Sequence, residues 1–383
     1  MFLRLALKKG SVVCKFAFWV FSHPQLVARY WRRLLLVAVG QEHFSYRIDL
    51  LGLILLRTQA SNKKIERPIL IWSGKDWDDV LSRVARELCE TISISSKSEL
   101  EKHRMLAKVV GTVEIQTHHV DWLTAGITLD TVLPRDFSAE KVIENFGVGS
   151  GLSVAYFFNE TEDLQSRLEI SERKRRNESW LQSDYNHFSE LVTSSSMCNW
   201  KQIRAGAWTS HQLPIEWSEL VVDLAHQRMT MDLQIALARK VTVVVSDAAG
   251  GFWLAASLGK PHLVVNLYKY ATLLGPRGLG VPVIYSEIET GRVIPYSEVL
   301  SSRYWDSQYR EMRKIRAIKA SSGLIKAAFD ELKVEIESEG SPNPSDFQLN
   351  FIEIARQNKT YLRGGCIPRI CDAFLRQYPE WIK

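Results

Sequence analysis

No pair of cysteines in this chain has the close spacing of a zinc knuckle or a redox motif: Cys14, Cys89, Cys198, Cys366 and Cys371 are scattered and odd in number. Such usage excludes a disulfide framework and points to a reducing, cytoplasmic compartment. Cys366 and Cys371 stand nearest to each other and could hold a metal or a bridge, although buried or half-buried thiols are the commoner outcome. The N-terminal apolar run 11–21 (SVVCKFAFWVF) is about 11 residues interrupted by Lys15, whereas a bilayer span needs ~20. There is no clear small-residue cleavage site after it, which argues against secretion. No internal repeat and no low-complexity segment stand out.

A basic face on the folded body is also missing. The formal charge is +6, yet Arg4, Lys8, Lys9, Lys15, Arg29, Arg32 and Arg33 lie before Glu42 with no acid among them, and the rest balances 42 basic against 43 acidic residues. General nucleic-acid binding would need cations spread over a domain surface, so no nucleic-acid partner is expected. The tail could lie flat on an anionic membrane with Phe16, Phe18, Trp19 and Phe21 among the acyl chains. A helix packed on the first domain, or an uncleaved signal-like segment, remains an equal alternative.

What is present is a length of 383 residues with 46% hydrophobic and 24% charged residues, the composition of a folded protein of two or three domains. From Leu34 onward, short apolar runs alternate with helical stretches, the pattern of parallel sheets with crossover helices. Strands are expected at 34–39, 68–73 and 91–95, with helices at 46–59 and 76–89 between them. A second set follows Gly147 and Gly149: strands at 152–158, 199–206, 241–246 and 262–266, helices at 179–193, 231–238 and 250–258, and a short element at 216–224. A terminal helix is expected over 368–383. The run SERKRRNE (171–178) reads as a solvated loop or helix end.

The stretch 241–266, VTVVVSDAAGGFWLAASLGKPHLVVN, combines a β-branched strand, a turn of small residues, a helix, Gly-Lys-Pro and another strand. Small residues at Ala248, Ala249, Gly250 and Gly251 let backbone approach a ligand, and the N–H groups opening the helix suit a diphosphate. Tight packing of helix on strand would call for the same small residues.

This order of motifs resembles a family of glycosyltransferases from bacterial surface-polysaccharide loci, of GT-B type and distantly heptosyltransferase-like. The matching residues are Ile203-Arg204-Ala205-Gly206, Arg228 with Met231-Asp232, Gly250 with Gly259-Lys260-Pro261, Tyr285-Ser286 with Gly291-Arg292, Tyr296-Ser297-Glu298-Val299-Leu300, and the ending Phe374-Leu375 to Trp381. The likeness runs from about Arg176 to the C-terminus, with a faint echo at Arg47-Ile48. It implies two Rossmann-like domains facing across a cleft, the GT-B architecture, preceded here by the basic apolar tail. The implied division is a tail 1–33, an acceptor domain 34–145, a nucleotide-sugar donor domain 146–365, and a segment 366–383 returning toward the N-terminal domain.

The implied activity is transfer of a sugar from a nucleotide-sugar donor to a surface glycan or lipid-linked acceptor, at the cytoplasmic membrane face and with no metal or other cofactor. Arg204, Gly206, Arg228, Asp232, Ser246, Asp247, Ala249, Gly250 and Gly251 are then the candidates for holding the donor. His43 and Glu42, in the loop after the first strand, are the candidates for acceptor base. Each has a plainer reading: surface arginines, a helix-end carboxylate, a packing turn and an exposed loop histidine. Asp76 and Asp78 resemble the metal-binding pair of the other glycosyltransferase fold, but a helix N-terminus explains them better. His118 and His119, adjacent on an expected strand, point opposite ways and make a poor chelate.

Three departures from the family pattern bear on catalysis. Ala249 stands where the family has a hydroxyl, Asn159 where it has a cation, and Trp253 where related heptosyltransferases have a histidine in the donor helix. A non-catalytic nucleotide-sugar binding or scaffold protein, and a nucleotide-sugar epimerase or hydrolase, therefore stay beside the transferase as alternatives.

Overall fold

The structure is a computed structural model, and it describes residues 34–39, 48, 51–56, 69–73, 80–94, 97–109, 113–116, 121–158, 182–206, 209, 211–227, 229–247, 251–268, 274–338, 343–358 and 367–383. The chain divides into two compact units, Met1–His119 and Val120–Lys383. The tail 1–33 lies outside the described residues. Among the described residues no helix is long and apolar enough to cross a membrane.

The first unit carries four parallel strands: β1 (Leu34–Val39), β2 (Ile69–Ser73), β3 (Glu90–Ser93) and β4 (Val113–Gln116), in the order β3-β2-β1-β4. A helical stretch at 51–56 follows β1, and its Leu51, Leu53 and Ile54 are buried. Helix α1 (Val80–Leu88) joins β2 to β3 and buries Val80, Leu81, Val84 and Ala85, one stripe at helical spacing. Helix α2 (Lys97–Val109) leads to β4. Strand β4, Val-Glu-Ile-Gln, was not among the expected strands, although its apolar/polar alternation carries the period of a half-buried strand.

The second unit opens with α3 (Asp121–Thr124) and α4 (Phe137–Asn145), the latter capped by Asp136, whose carboxylate accepts from the Ser138 and Ala139 amides. Six parallel strands follow: β5 (Ser153–Phe157), β6 (Lys201–Ala205), β7 (Val221–Asp223), β8 (Val243–Asp247), β9 (His262–Leu267) and β10 (Gly278–Pro282). Their spatial order is β7-β6-β5-β8-β9-β10. Strands β5, β8, β9 and β10 are buried at every position, as their near-continuous apolar sequences require of strands covered on both faces. Between them run α5 (Ser189–Met197), α6 (Met231–Lys240) and α7 (Gly251–Ser257). Thr230 caps α6, Asp232 sits in its first turn, and Arg239 and Lys240 sit in its last, each sign suited to the helix dipole. The helix expected over 179–193 begins later than its sequence suggests, because Asp184 caps a 3-10 turn, Tyr185–Phe188, ahead of α5.

Past β10 the chain forms an antiparallel pair, β11 (Ile284–Glu287) with β12 (Ile315–Ile318), enclosing α8 (Tyr296–Ser301) and α9 (Ser307–Arg313). Helix α10 (Ser322–Glu337) then buries Leu324, Ile325, Ala328, Phe329 and Leu332 along one face. Helix α11 (Asp346–Gln357) starts at a capping box between Ser345 and Gln348. Helix α12 (Asp372–Gln377) and a final 3-10 turn, Pro379–Ile382, close the chain.

Two segments are held within the second unit by specific contacts. Residues 121–145, assigned above to the N-terminal domain, belong to the second unit. The Leu129 amide donates to the Ser257 carbonyl at 2.7 Å, and Arg239 pairs with Asp130 at 2.6 Å while donating to the Leu133 and Pro134 carbonyls at 2.8 and 3.0 Å. Phe374, Leu375 and Trp381 are fully buried in the second unit's own core, where Trp381 stacks on Phe351 and meets Tyr296 and Phe374 edge-on. Main-chain bonds at 2.8 and 3.1 Å fasten Arg369 and Cys371 to Gly280 of β10. Cys371 is a buried free thiol, and Cys366 is outside the described residues.

Candidate functional site

In an open parallel sheet the ligand crevice lies outside the strand carboxyl ends, at the point where the strand order reverses. Here that point is between β5 and β8: the chain winds outward through β6 and β7 on one side, then through β9 and β10 on the other. The residues that emerge there are Phe157 and Phe158 from β5, and Ser246 and Asp247 from β8, with Gly251 opening α7.

Asp247 is 1% exposed. Its Oδ2 accepts from the Ser183 hydroxyl at 2.7 Å and its Oδ1 from the Asn266 amide at 2.9 Å. Asn266, one residue before the end of β9, has φ 56°, a left-handed conformation asparagine tolerates, and its side-chain oxygen accepts from the Ala320 amide at 2.9 Å. One asparagine thereby ties the ends of β8 and β9 to the start of α10. Burial pushes the Asp247 carboxyl above its ordinary range, opposed by the two hydrogen bonds and by the positive field of Lys319 and His187. Ser246, at 0% exposure, lies inside the sheet layer.

A carboxyl raised on folding contributes stability that is fully present below its unfolded value and is lost as pH climbs through the folded one. Asp247→Asn removes this dependence. The stability of the wild-type chain relative to the Asn variant is therefore expected to fall as pH rises from 4 toward neutrality, measured by denaturant midpoints of both proteins at each pH. A gap that is constant or grows the other way contradicts the placement of Asp247.

Arg204, on β6, has a side chain with 0% exposure. Its Nη1 donates to Asp223 Oδ2 at 2.8 Å and to the His211 carbonyl at 2.9 Å, and its Nη2 to the Tyr185 hydroxyl at 2.8 Å. The guanidinium also lies 5.5 Å from the Tyr185 ring centre. Bonded to three protein oxygens and with its side chain buried, Arg204 joins Tyr185, His211 and Asp223. Phe158 is packed by Tyr185, Phe188, Trp217 and Tyr156, with ring centres 5.0–6.4 Å away.

The glycines divide by role. A Cβ on Gly251 would lie 2.2 Å from Phe157 Cγ and 2.4 Å from its Cβ, so this position is small because α7 presses on β5. At Gly206 the nearest atom to an added Cβ is Ala225 Cβ at 3.6 Å, an ordinary contact. Asp232 is half-buried in the first turn of α6. His43, Glu42, Arg228, Ala249 and Gly250 lie outside the described residues, as do Asn159, Asp76, Asp78, His118 and His119. Trp253 is half-buried on α7, its ring centre 4.9 Å from that of Phe252. The structure thus brings Ser246, Asp247 and Gly251 to the switch point, and adds Ser183, Asn266 and Lys319, which sequence reasoning missed. Only Asn266 left a signal, as a turn-prone residue at a strand end. Among the described residues no cluster of His, Cys, Asp or Glu could hold a metal ion.

No protein-family model matches the chain, and no curated protein matches it. Among solved structures it is similar to E. coli ADP-heptose lipopolysaccharide heptosyltransferase II at 12% identity and a TM-score of 0.35, over 82% of this chain and 80% of that one. It is similar to the iron-containing dodecameric glycosyltransferase TibC of enterotoxigenic E. coli at 13% identity and 0.39, over 80% and 77%. A glycosyl transferase family 9 protein of Veillonella parvula gives 11% and 0.39, over 66% and 86%.

Proposed function

We propose that the chain is a nucleotide-sugar-dependent glycosyltransferase that binds its donor in the second unit, outside the carboxyl ends of β5 and β8, and passes the sugar to a surface glycan or lipid-linked acceptor. One coincidence supports this reading. The strand order reverses between β5 and β8, and the turn from β8 into α7 is the stretch whose motifs resemble the donor-side turn of the family. In this reading the backbone of 248–251, with Asp232 and Arg228, meets the donor, while Asp247 and Arg204 hold the surrounding loops in place. His43 and Glu42 remain the proposed acceptor bases.

A second reading, a donor-binding scaffold without transfer, is favoured by one specific feature. The two charged side chains of the switch-point region that the structure describes most fully, Arg204 and Asp247, are both bonded to protein groups. Release of nucleoside diphosphate from a panel of nucleotide sugars, followed with and without lipid-linked glycan acceptors, separates the two. The transferase reading expects release that depends on acceptor. Binding without release selects the scaffold.

A further inference from the structure

Beside the switch point the second unit holds a cavity of about 610 Å³, bounded by the 3-10 turn 185–188 on one side and by α9 and β12 on the other. A volume of this size falls within the usual ~300–1,000 Å³ of small-molecule sites. Three cationic side chains line it, Arg310, Arg316 and Lys319, against one carboxylate, Glu311, with His187 and Ser307 completing the polar wall. Ile315, Ala317 and Ile318 give it an apolar strip. None of these residues figured in the motif resemblance.

Two observations join this cavity to the crevice. Lys319 donates to the Gln182 carbonyl at 2.5 Å, next to Ser183, which holds Asp247. Both Lys319 and His187 lie close enough to Asp247 to lower its carboxyl electrostatically. Among the described residues no hydrogen-bond partner meets His187 Nδ1, although that atom is shielded from solvent, and a buried ring nitrogen without a partner is costly. Arg316 uses its Nε on the Ser286 hydroxyl at 2.8 Å, an anchor that holds the guanidinium at the cavity wall. Planar guanidinium groups and an ammonium converging on one hollow are the donor set that recognises phosphoryl oxygens.

We propose that this cavity binds the diphosphate of a nucleoside-diphosphate ligand, with Arg316 and Lys319 as its principal contacts. The inference rests on the donor-binding reading above and deepens it, because it moves the countercharge from the buried Arg204 to side chains that line an accessible hollow. The apolar strip of β12 then lies beside the phosphates, suited to the uncharged part of the ligand.

The test is calorimetry on the full chain with inorganic pyrophosphate, then with ADP and UDP. Arg316 is exposed, so Arg316→Gln should keep the melting temperature while weakening pyrophosphate binding about tenfold. Lys314→Gln, an exposed lysine just before β12 and outside the cavity lining, serves as control and should change affinity less than about twofold. Three results would overturn the proposal: no binding of pyrophosphate by the wild-type chain, unchanged affinity in Arg316→Gln, or an equal loss in Lys314→Gln. If pyrophosphate binds and depends on Arg316 while neither nucleoside diphosphate does, this proposal falls together with the donor-binding reading, whereas ADP or UDP bound equally well by wild type and Arg316→Gln overturns this proposal alone.

Discussion

Gly251→Ala is expected to cost the second unit about 3 kcal/mol, the upper part of the range for forcing extra atoms into a packed core. The added methyl would lie 2.2, 2.4 and 2.7 Å from Cγ, Cβ and Cδ1 of Phe157, distances at which something must move. Phe157 cannot move cheaply. Its Cβ is fixed by the backbone of β5, which is hydrogen-bonded between β6 and β8, and the residue is 5% exposed. Helix α7 must therefore lift, which loosens Phe252, Leu254 and Ala255, all buried beneath it. Thermal melting of the variant should show the loss. Gly251→Ala combined with Phe157→Ala should be somewhat less destabilised than the sum of the two single changes, because the Cγ and Cδ1 contacts are removed while the one with Cβ at 2.4 Å stays. A Gly251→Ala chain that melts with the wild type would mean that α7 does not rest on β5.

Arg204→Met should destabilise by a similar amount, about 3 kcal/mol, at the low end for breaking a buried ion pair because Asp223 keeps some contact with water. The change leaves the Asp223 carboxylate, the His211 carbonyl and the Tyr185 hydroxyl without the donor that now joins them. Arg204→Lys should recover little, since one ammonium cannot span three oxygens that a planar guanidinium reaches from two nitrogens. The discriminating readout is the pairing of stability with ligand affinity. Loss of melting temperature with nucleotide affinity retained at low temperature identifies a strut. Unchanged melting with affinity lost would return Arg204 to the phosphate cradle.

The strands at 153–157, 243–247 and 262–267 were legible because strands buried on both faces call for mostly apolar runs, and 34–39 and 69–73 were legible as apolar runs of the same length class. Strand β10, Gly-Leu-Gly-Val-Pro, was not legible. Its glycines are dictated by neighbours far along the chain: a Cβ on Gly278 would come within 2.4 Å of the Leu274 carbonyl and 2.5 Å of His262 Nε2. Nor could sequence decide where 121–145 belongs, because the deciding group is the guanidinium of Arg239, more than a hundred residues later than Asp130.

At the site, the end of β8 and the start of α7 were legible from the strand and the helix that flank the small residues, but the cause of the glycine at 251 was not. Gly251 is small for packing, as the plainer reading allowed. Asp247 and Arg204 looked like ligand contacts for the same reason that they make good struts: each is a charged residue at the carboxyl end of a central strand, where a crevice and a loop anchor present the same signature. Lys319 and Arg316 were illegible because no local pattern links β12 to the 182–188 segment, which only the fold brings beside them.

The central claim, that this chain spends a nucleotide sugar, is tested most directly by following nucleoside diphosphate release from ADP-, UDP- and GDP-sugars by the full chain, with and without a lipid-linked glycan acceptor. The account predicts that one donor releases its diphosphate in an acceptor-dependent, saturable manner, with free diphosphate as a competitive inhibitor. No release from any donor under either condition, with no nucleoside diphosphate bound at millimolar concentration, would contradict it.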